Sequence, residues 1–284
     1  MHRSVDSTIP SKELAEKYAQ LQALLADIQS VAVAYSGGVD STLLAKVTYD
    51  VLGDKMLAVM AISESMSSSE QENAIALLDE LDIPHVTVQS NEVHDPRYAV
   101  NPANRCYFCR GHILQAIQEV AQKRGLAAMV DGFNLDDASD HRPGRQAGIE
   151  RGVRSPLYET GFTKQNVRSL ARHLGLRNWS KPPTPCLSSR VPYDTPITPA
   201  ILHQIDRAES ILRKLGLTQL RVRHHGNMAR IEVPPDNMAV VFEHRAQIVA
   251  DFKEVGYIYV ALDLQGFRSG SANEELIDGR EPST

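Results

Sequence analysis

The sequence predicts a doubly wound, parallel α/β sheet followed by a smaller C-terminal α+β domain, and three observations carry that prediction. The first is a short apolar run, Val31-Ala32-Val33-Ala34-Tyr35, which reads as a strand buried on both faces. The second is the alternation of strand and helix behind it, the pattern of parallel strands joined by crossovers. The third is a crowd of prolines after residue 178 (Pro182, Pro183, Pro185, Pro192, Pro196, Pro199), which marks a junction. With 284 residues, 42% hydrophobic and 23% charged, the chain is globular in composition and long enough for one large or two ordinary domains. The expected division is 1–180 for the larger domain, 181–199 for the junction and 200–284 for the smaller domain.

Residues 11–29 form an amphipathic helix with Leu14, Tyr18, Leu21, Leu24, Leu25 and Ile28 on its buried side. The first strand follows. The next helix places Leu43, Leu44, Val47 and Val51 on one face and stops at Gly53. Residues 56–62 are a second buried strand, 69–81 a crossover helix and 85–89 a third strand. A polar stretch, 90–104, leads into a helix from about Arg105 to Lys123, and 127–133 is a fourth strand. Residues 134–145 are polar and, at a carboxyl end of the sheet, should wall a ligand site. Residues 154–157 read as a connector and 163–174 as a helix capped by Thr163 and stopped by Gly175. Beyond the junction, 198–216 and 236–255 are helical, 220–224 and 229–233 make a hairpin around His225-Gly226-Asn227, and 257–262 is a last strand. Residues 280–284 should fray.

Between the first strand and its helix lies Ser36-Gly37-Gly38-Val39-Asp40-Ser41. A strand, a tight turn and a helix N-terminus aim unpaired backbone N–H groups and two serine hydroxyls at one point, where an anion belongs. The glycines let an oxygen-rich ligand approach the backbone. A carboxylate, Asp40, beside bound phosphates makes sense with a divalent cation between them, most simply Mg²⁺. Ser63, at the carboxyl end of the second strand, should lie beside this loop.

The three cysteines form a Cys106-x-x-Cys109 pair and a single Cys186 in the proline-rich junction. Packing thiols, a redox disulfide, a zinc site short of one ligand and an iron–sulfur site all fit, and the last leads. No apolar run has membrane-spanning length, and residues 1–10 lack the apolar core and cleavage site of a secretory leader. A cytoplasmic location is expected. A net charge of -5 gives no electrostatic footprint for nucleic acid.

Ser-Gly-Gly-x-Asp-Ser after a first strand resembles the PP-loop of the N-type ATP pyrophosphatases, which split ATP between its α- and β-phosphates and adenylate a substrate. Further motifs narrow the resemblance: Asn104-x-Cys106-Tyr107-x-Cys109, Gly132-Phe133-Asn134-Leu135-Asp136-Asp137 running on to Asp140-His141-Arg142-Pro143-Gly144, and Pro185-Cys186-Leu187-Ser188-Ser189-Arg190. Together, from about residue 36 to 271, they resemble the LarE family of nickel-pincer cofactor biosynthesis. The resemblance implies an adenine nucleotide alpha hydrolase-like fold and ATP-dependent sulfur transfer. The implied substrate is pyridinium-3,5-biscarboxylic acid mononucleotide, whose carboxylate is adenylated and then converted to a thiocarboxylate. It also implies ATP bound by Ser36, Gly37, Gly38, Asp40, Ser41, Ser63 and Gly132. Some family members give up the sulfur of the cysteine matching Cys186 and keep dehydroalanine; others hold a 4Fe-4S cluster, here on Cys106, Cys109 and Cys186. A homo-oligomer, for instance a hexamer, and partner proteins of the cofactor pathway are implied as well.

A mononucleotide substrate needs a second anion site, for which Ser188, Ser189, Arg190, Arg221, Arg223 and Arg268 are candidates. Arg221 and Arg223 flank Val222 and should point the same way from a strand. Glu209 and Glu232 read as surface groups; His224 and His225 are either metal ligands or, more simply, an exposed loop pair. Other functions stay open: a tRNA thiolase with a three-cysteine cluster, an amidotransferase, and a noncatalytic zinc module.

Overall fold

β1 (Val31–Tyr35) is buried along its whole length, as its residues require, and it lies inside a four-stranded parallel sheet ordered β3-β2-β1-β4. The computed structural model describes residues 9–139 and 143–268. The motif residues Asp140, His141 and Arg142 and the expected fraying at 280–284 lie outside them. Two compact units are present. The first comprises the chain up to Ser63, Glu70–Tyr98 and Ala103–Thr184. The second comprises Glu64–Ser69, Ala99–Pro102 and the chain from Pro185.

In the first unit α1 (Lys12–Ile28) precedes β1, and α2 (Val39–Leu52), β2 (Met56–Ile62), α3 (Ser68–Glu80, from Glu70 on) and β3 (His85–Gln89) follow it. A four-residue turn of helix, α4 (Pro96–Ala99), comes before α5 (Arg105–Arg124) and β4 (Ala128–Asp131), then α6 (Pro143–Glu150), α7 (Pro156–Glu159) and α8 (Lys164–His173). Alternate residues of β1 face opposite ways. Ala32 and Ala34 pack with Val59 and Met129 against Leu114, Ile117 and Ala121 of α5. The opposite face meets α2, which is also packed on α1 and α8. Helices on both faces of a parallel sheet are the doubly wound arrangement. Of the connector expected at 154–157, Arg154 forms a parallel bridge with Val130 and Ser155 is an N-cap, whereas Pro156 and Leu157 open α7, because Pro156 fits the first turn of a helix.

The second unit holds α9 (Pro199–Lys214), β5 (Arg221–His225), β6 (Met228–Glu232), α10 (Met238–Glu243), α11 (Arg245–Val255) and β7 (Tyr259–Leu262). β5 pairs antiparallel with β6, and β6 pairs parallel with β7. Leu212 of α9, Val222, Ile231, Phe252 and Tyr257 form its core. The single helix expected over 236–255 is broken at His244, which caps both α10 and α11.

Candidate active site

The first-unit site is built where β1 turns into α2. Gly37 adopts φ 71°, a left-handed conformation that side chains resist, and its Cα faces the buried Ala74 of α3. Gly38 is the N-cap of α2 and brings no side-chain cap, so the first amides of the helix remain available to a ligand. The loop is drawn closed by serine hydroxyls. Ser36 N donates to Ser41 Oγ at 3.2 Å, the two serine Oγ atoms lie 3.1 Å apart, and Ser41 Oγ donates to the Gly38 carbonyl at 3.1 Å. Just past the end of β4, Gly132 packs so closely that a Cβ there would lie 2.8 Å from Ser41 N. A side chain at 132 would therefore enter the backbone of the cradle itself.

Asp40 stands in the first turn of α2, and its two oxygens have different partners. Asn134 Nδ2 donates to Oδ1 at 3.1 Å, and the Lys164 ammonium meets Oδ2. Asn134 is itself fixed, accepting from the amides of Asp136 and Asp137 through its Oδ1. The carboxylate is a hard oxygen donor at the edge of a phosphate cradle, which fits Mg²⁺ completed by phosphate oxygens and water. Behind the loop, Asn178 donates to Thr42 Oγ1 at 3.0 Å, and Lys181 pairs with Glu70 while reaching the Gly37 carbonyl at 3.4 Å. Ser63, placed at the carboxyl end of β2, donates its hydroxyl to Glu92, a fully buried carboxylate that also accepts from Ser90 Oγ at 2.6 Å.

The cysteine pair lies on one face of the first turns of α5, with Cys106 exposed and Cys109 partly so. Two contacts seat this helix. Arg110, next to Cys109, donates to Asp131 at the end of β4 at 2.6 Å, and His112 Nε2 lies 2.8 Å from Asp95 Oδ2. Asp95 also takes Arg97 Nη2 at 2.7 Å; Arg97, with His112, holds its carboxyl well below the usual carboxylate range. Among the described residues, no group of three or more His, Cys, Asp or Glu side chains is placed as a metal site. The α5 thiols are soft donors that would suit iron, but they belong to the first unit and Cys186 to the second.

In the second unit Cys186 is exposed and precedes a short 3-10 turn, Leu187–Arg190. Arg190 anchors that turn. Its Nη1 donates to the carbonyls of Pro185 at 2.8 Å and Cys186 at 3.1 Å, while Nε meets Glu209 Oε1 at 2.8 Å. Burial opposes the charge of Arg190, but Glu209 outweighs it and raises the guanidinium above its ordinary value. Arg223 makes the same kind of fork with Glu232, at 3.0 and 3.1 Å, and donates to the Ser189 carbonyl. Arg221 differs. It stacks 4.4 Å from the Phe267 ring and donates to the Arg268 carbonyl at 3.1 Å, and among the described residues it has no ion pair. Burial and the nearby charges of Arg223 and Arg190 lower it to about 10. Ser188 is fully buried.

Two expectations are corrected here. Glu209 and Glu232 are not surface groups but have no exposed surface, because each is the counter-ion of a buried arginine. His224 is not on an exposed loop; it is buried in β5 with Nδ1 3.3 Å from Tyr257 Oη, and burial followed by the charge of His225 lowers it. Asn134 lay in the stretch expected to wall the ligand site, without its partner Asp40 being foreseen; Lys164 and Lys181 escaped sequence reasoning. Thr163 was legible as a helix cap, but no local signal says that the lysine after it meets Asp40.

Residues 15–102 match the NAD synthase family. The pyridinium-3,5-bisthiocarboxylic acid mononucleotide synthase of Lactiplantibacillus plantarum is 39% identical over 93% of this chain and 96% of its own length. An uncharacterized protein of Synechocystis is 44% identical over 93% of this chain and 99% of its own. A glutamine-hydrolyzing GMP synthase of Aeropyrum pernix is 28% identical over 72% of this chain and 43% of its own.

Proposed function

The chain belongs to the pyridinium-3,5-bisthiocarboxylic acid mononucleotide synthase (LarE) family of PP-loop proteins, and from that premise we propose that it is an ATP-dependent sulfurtransferase acting on a pyridinium dicarboxylate mononucleotide. The observation that carries this reading is the cradle at residues 36–41, with its uncapped helix N-terminus and Asp40 at its edge. A carboxylate resists attack by sulfur. Transfer to AMP converts it to a mixed anhydride, and the cradle stabilises the charge that collects on the departing pyrophosphate. Mg²⁺ held by Asp40 would neutralise part of that charge.

The second step needs a sulfur nucleophile. In the route through Cys186, its thiolate attacks the acyl carbon and AMP leaves, giving a thioester. Loss of the Cys186 Cα proton then forms the Cα–Cβ double bond and expels the thiocarboxylate, leaving dehydroalanine. The exposure of Cys186 supports access to substrate. A 4Fe-4S cluster on Cys106, Cys109 and Cys186 would instead supply a replaceable sulfide. For the substrate phosphate, Arg221 is the favoured contact, since Arg190 and Arg223 are already forked onto carboxylates and position the Ser188–Ser189 turn. In this reading the proline-rich segment divides a nucleotide domain, 1–180, from a substrate and oligomerisation domain, 200–284. A homo-oligomer belongs to the same reading. No helix among the described residues is long and apolar enough to cross a membrane, and a cytoplasmic location belongs to the same proposal.

Anaerobically purified protein tests the reading with ATP and the pyridinium dicarboxylate mononucleotide. Wild type should release pyrophosphate and form thiocarboxylate. Asp40→Ala should abolish pyrophosphate release with iron and acid-labile sulfide unchanged, and equal loss of both would count against the assignment. The protein mass after turnover separates the sulfur routes: loss of one H2S marks Cys186 as donor, whereas an unchanged mass with cluster lost in Cys106→Ala marks the cluster.

A further inference from the structure

The Asp40 carboxylate already carries a cation of the protein's own. Lys164 Nζ contacts Oδ2 while Asn134 holds Oδ1, so both oxygens are committed. A divalent ion cannot take its place on Asp40 with an ammonium in contact with the same oxygen, since the two cations repel. Three features make the lysine displaceable. Its backbone is pinned at the first residue of α8, just after the Thr163–Asn166 capping box, but its side chain is 34% exposed. That side chain also lines an open pocket of about 460 Å³, shared with Asp136, Arg168 and Trp179, so it can turn without expelling a packed group. Asp136 is close by, its Oδ2 accepting from Lys164 N at 2.8 Å, and offers a second carboxylate on the pocket wall.

We propose that Lys164 is an exchangeable internal counter-ion of Asp40: it neutralises the carboxylate while the cradle is empty and yields it to a divalent cation arriving with the nucleotide. The inference rests on Asp40 as the metal carboxylate of the proposed function. A bare carboxylate at the mouth of the cradle would repel an approaching triphosphate, and a lysine on it removes that repulsion. An ion pair whose lysine is partly open to solvent is weak enough to be exchanged. The flexible four-carbon stem of lysine lets the ammonium leave with no movement of α8.

The test is Mn²⁺ titration of the nucleotide-free full-length protein, reading free Mn²⁺ by electron paramagnetic resonance. Lys164→Met removes the competitor and should bind Mn²⁺ roughly three- to tenfold more tightly than wild type. Lys164→Arg keeps a cation on Asp40 and should bind no more tightly than wild type. Asp40→Asn should erase the gain in the Lys164→Met background. Thermal melts identify folding defects, and Lys164→Gln replaces Lys164→Met if the latter melts lower. Unchanged or weaker Mn²⁺ binding in the folded neutral variant overturns the proposal, as does a gain that survives Asp40→Asn. Because no substrate enters this titration, failure of the sulfurtransferase reading would leave its result intact.

Discussion

Replacing Gly37 by alanine meets two separate costs, and the structure says how to tell them apart. One is conformational: at φ 71° an alanine sits in the left-handed region, at about 1–2 kcal/mol. The other is steric, because the new Cβ would lie 2.5 Å from Ala74 Cβ. That is about 1 Å inside carbon–carbon contact. Ala74 is 2% exposed in the middle of α3, so it cannot step aside, and overpacking of this kind costs about 1–3 kcal/mol. Gly37→Ala should therefore destabilise the first unit by roughly 2–5 kcal/mol. Ala74→Gly removes the obstructing methyl, at about 1 kcal/mol for a glycine in a helix. The double variant should recover the steric part alone, so the two changes couple by about 1–3 kcal/mol in the stabilising direction. Urea unfolding followed by Trp179 fluorescence reads this directly, since the single tryptophan lies in the first unit. ATP–pyrophosphate exchange should stay impaired in the double variant, because the backbone of the loop still resists φ 71°. Additive effects, within about 0.5 kcal/mol, would refute the close approach.

Two further outcomes follow from the buried charges. Glu209→Gln leaves the Arg190 guanidinium buried without its anion and should cost about 3–5 kcal/mol in the second unit, read as a lowered midpoint of thermal unfolding; an unchanged midpoint would mean that the fork onto Arg190 contributes nothing. Asp95 is depressed by Arg97 first and His112 second, so its contribution to stability is complete above the unfolded carboxylate value of about 4 and fades as pH falls toward its lower folded value. Asp95→Asn should accordingly be less acid-sensitive than wild type as pH falls below about 4, with the two stability curves parallel above it; curves that stay parallel below about pH 4 as well would sink that assignment.

What the sequence could determine was local. A β-branched run makes β1, the Gly-Gly turn and helix start make a cradle, Gly53 and Gly175 stop helices, and Gly226-Asn227 turns a hairpin behind the paired His225, because each depends on residues only a few positions apart. The even spacing of Arg221 and Arg223 also gave their common face before any partner was known. Tertiary structure decided the pairings. The order β3-β2-β1-β4 puts β4 beside β1, and only that neighbour brings Gly132 against Ser41. Glu209 and Glu232 look like solvent-facing acids in any short window, yet burial of Arg190 and Arg223 makes them obligatory counter-ions. Lys164 reaches Asp40 across 124 residues of chain. Short-range propensity shapes a helix or a turn, but a charge finds its partner only after packing has fixed which surfaces meet.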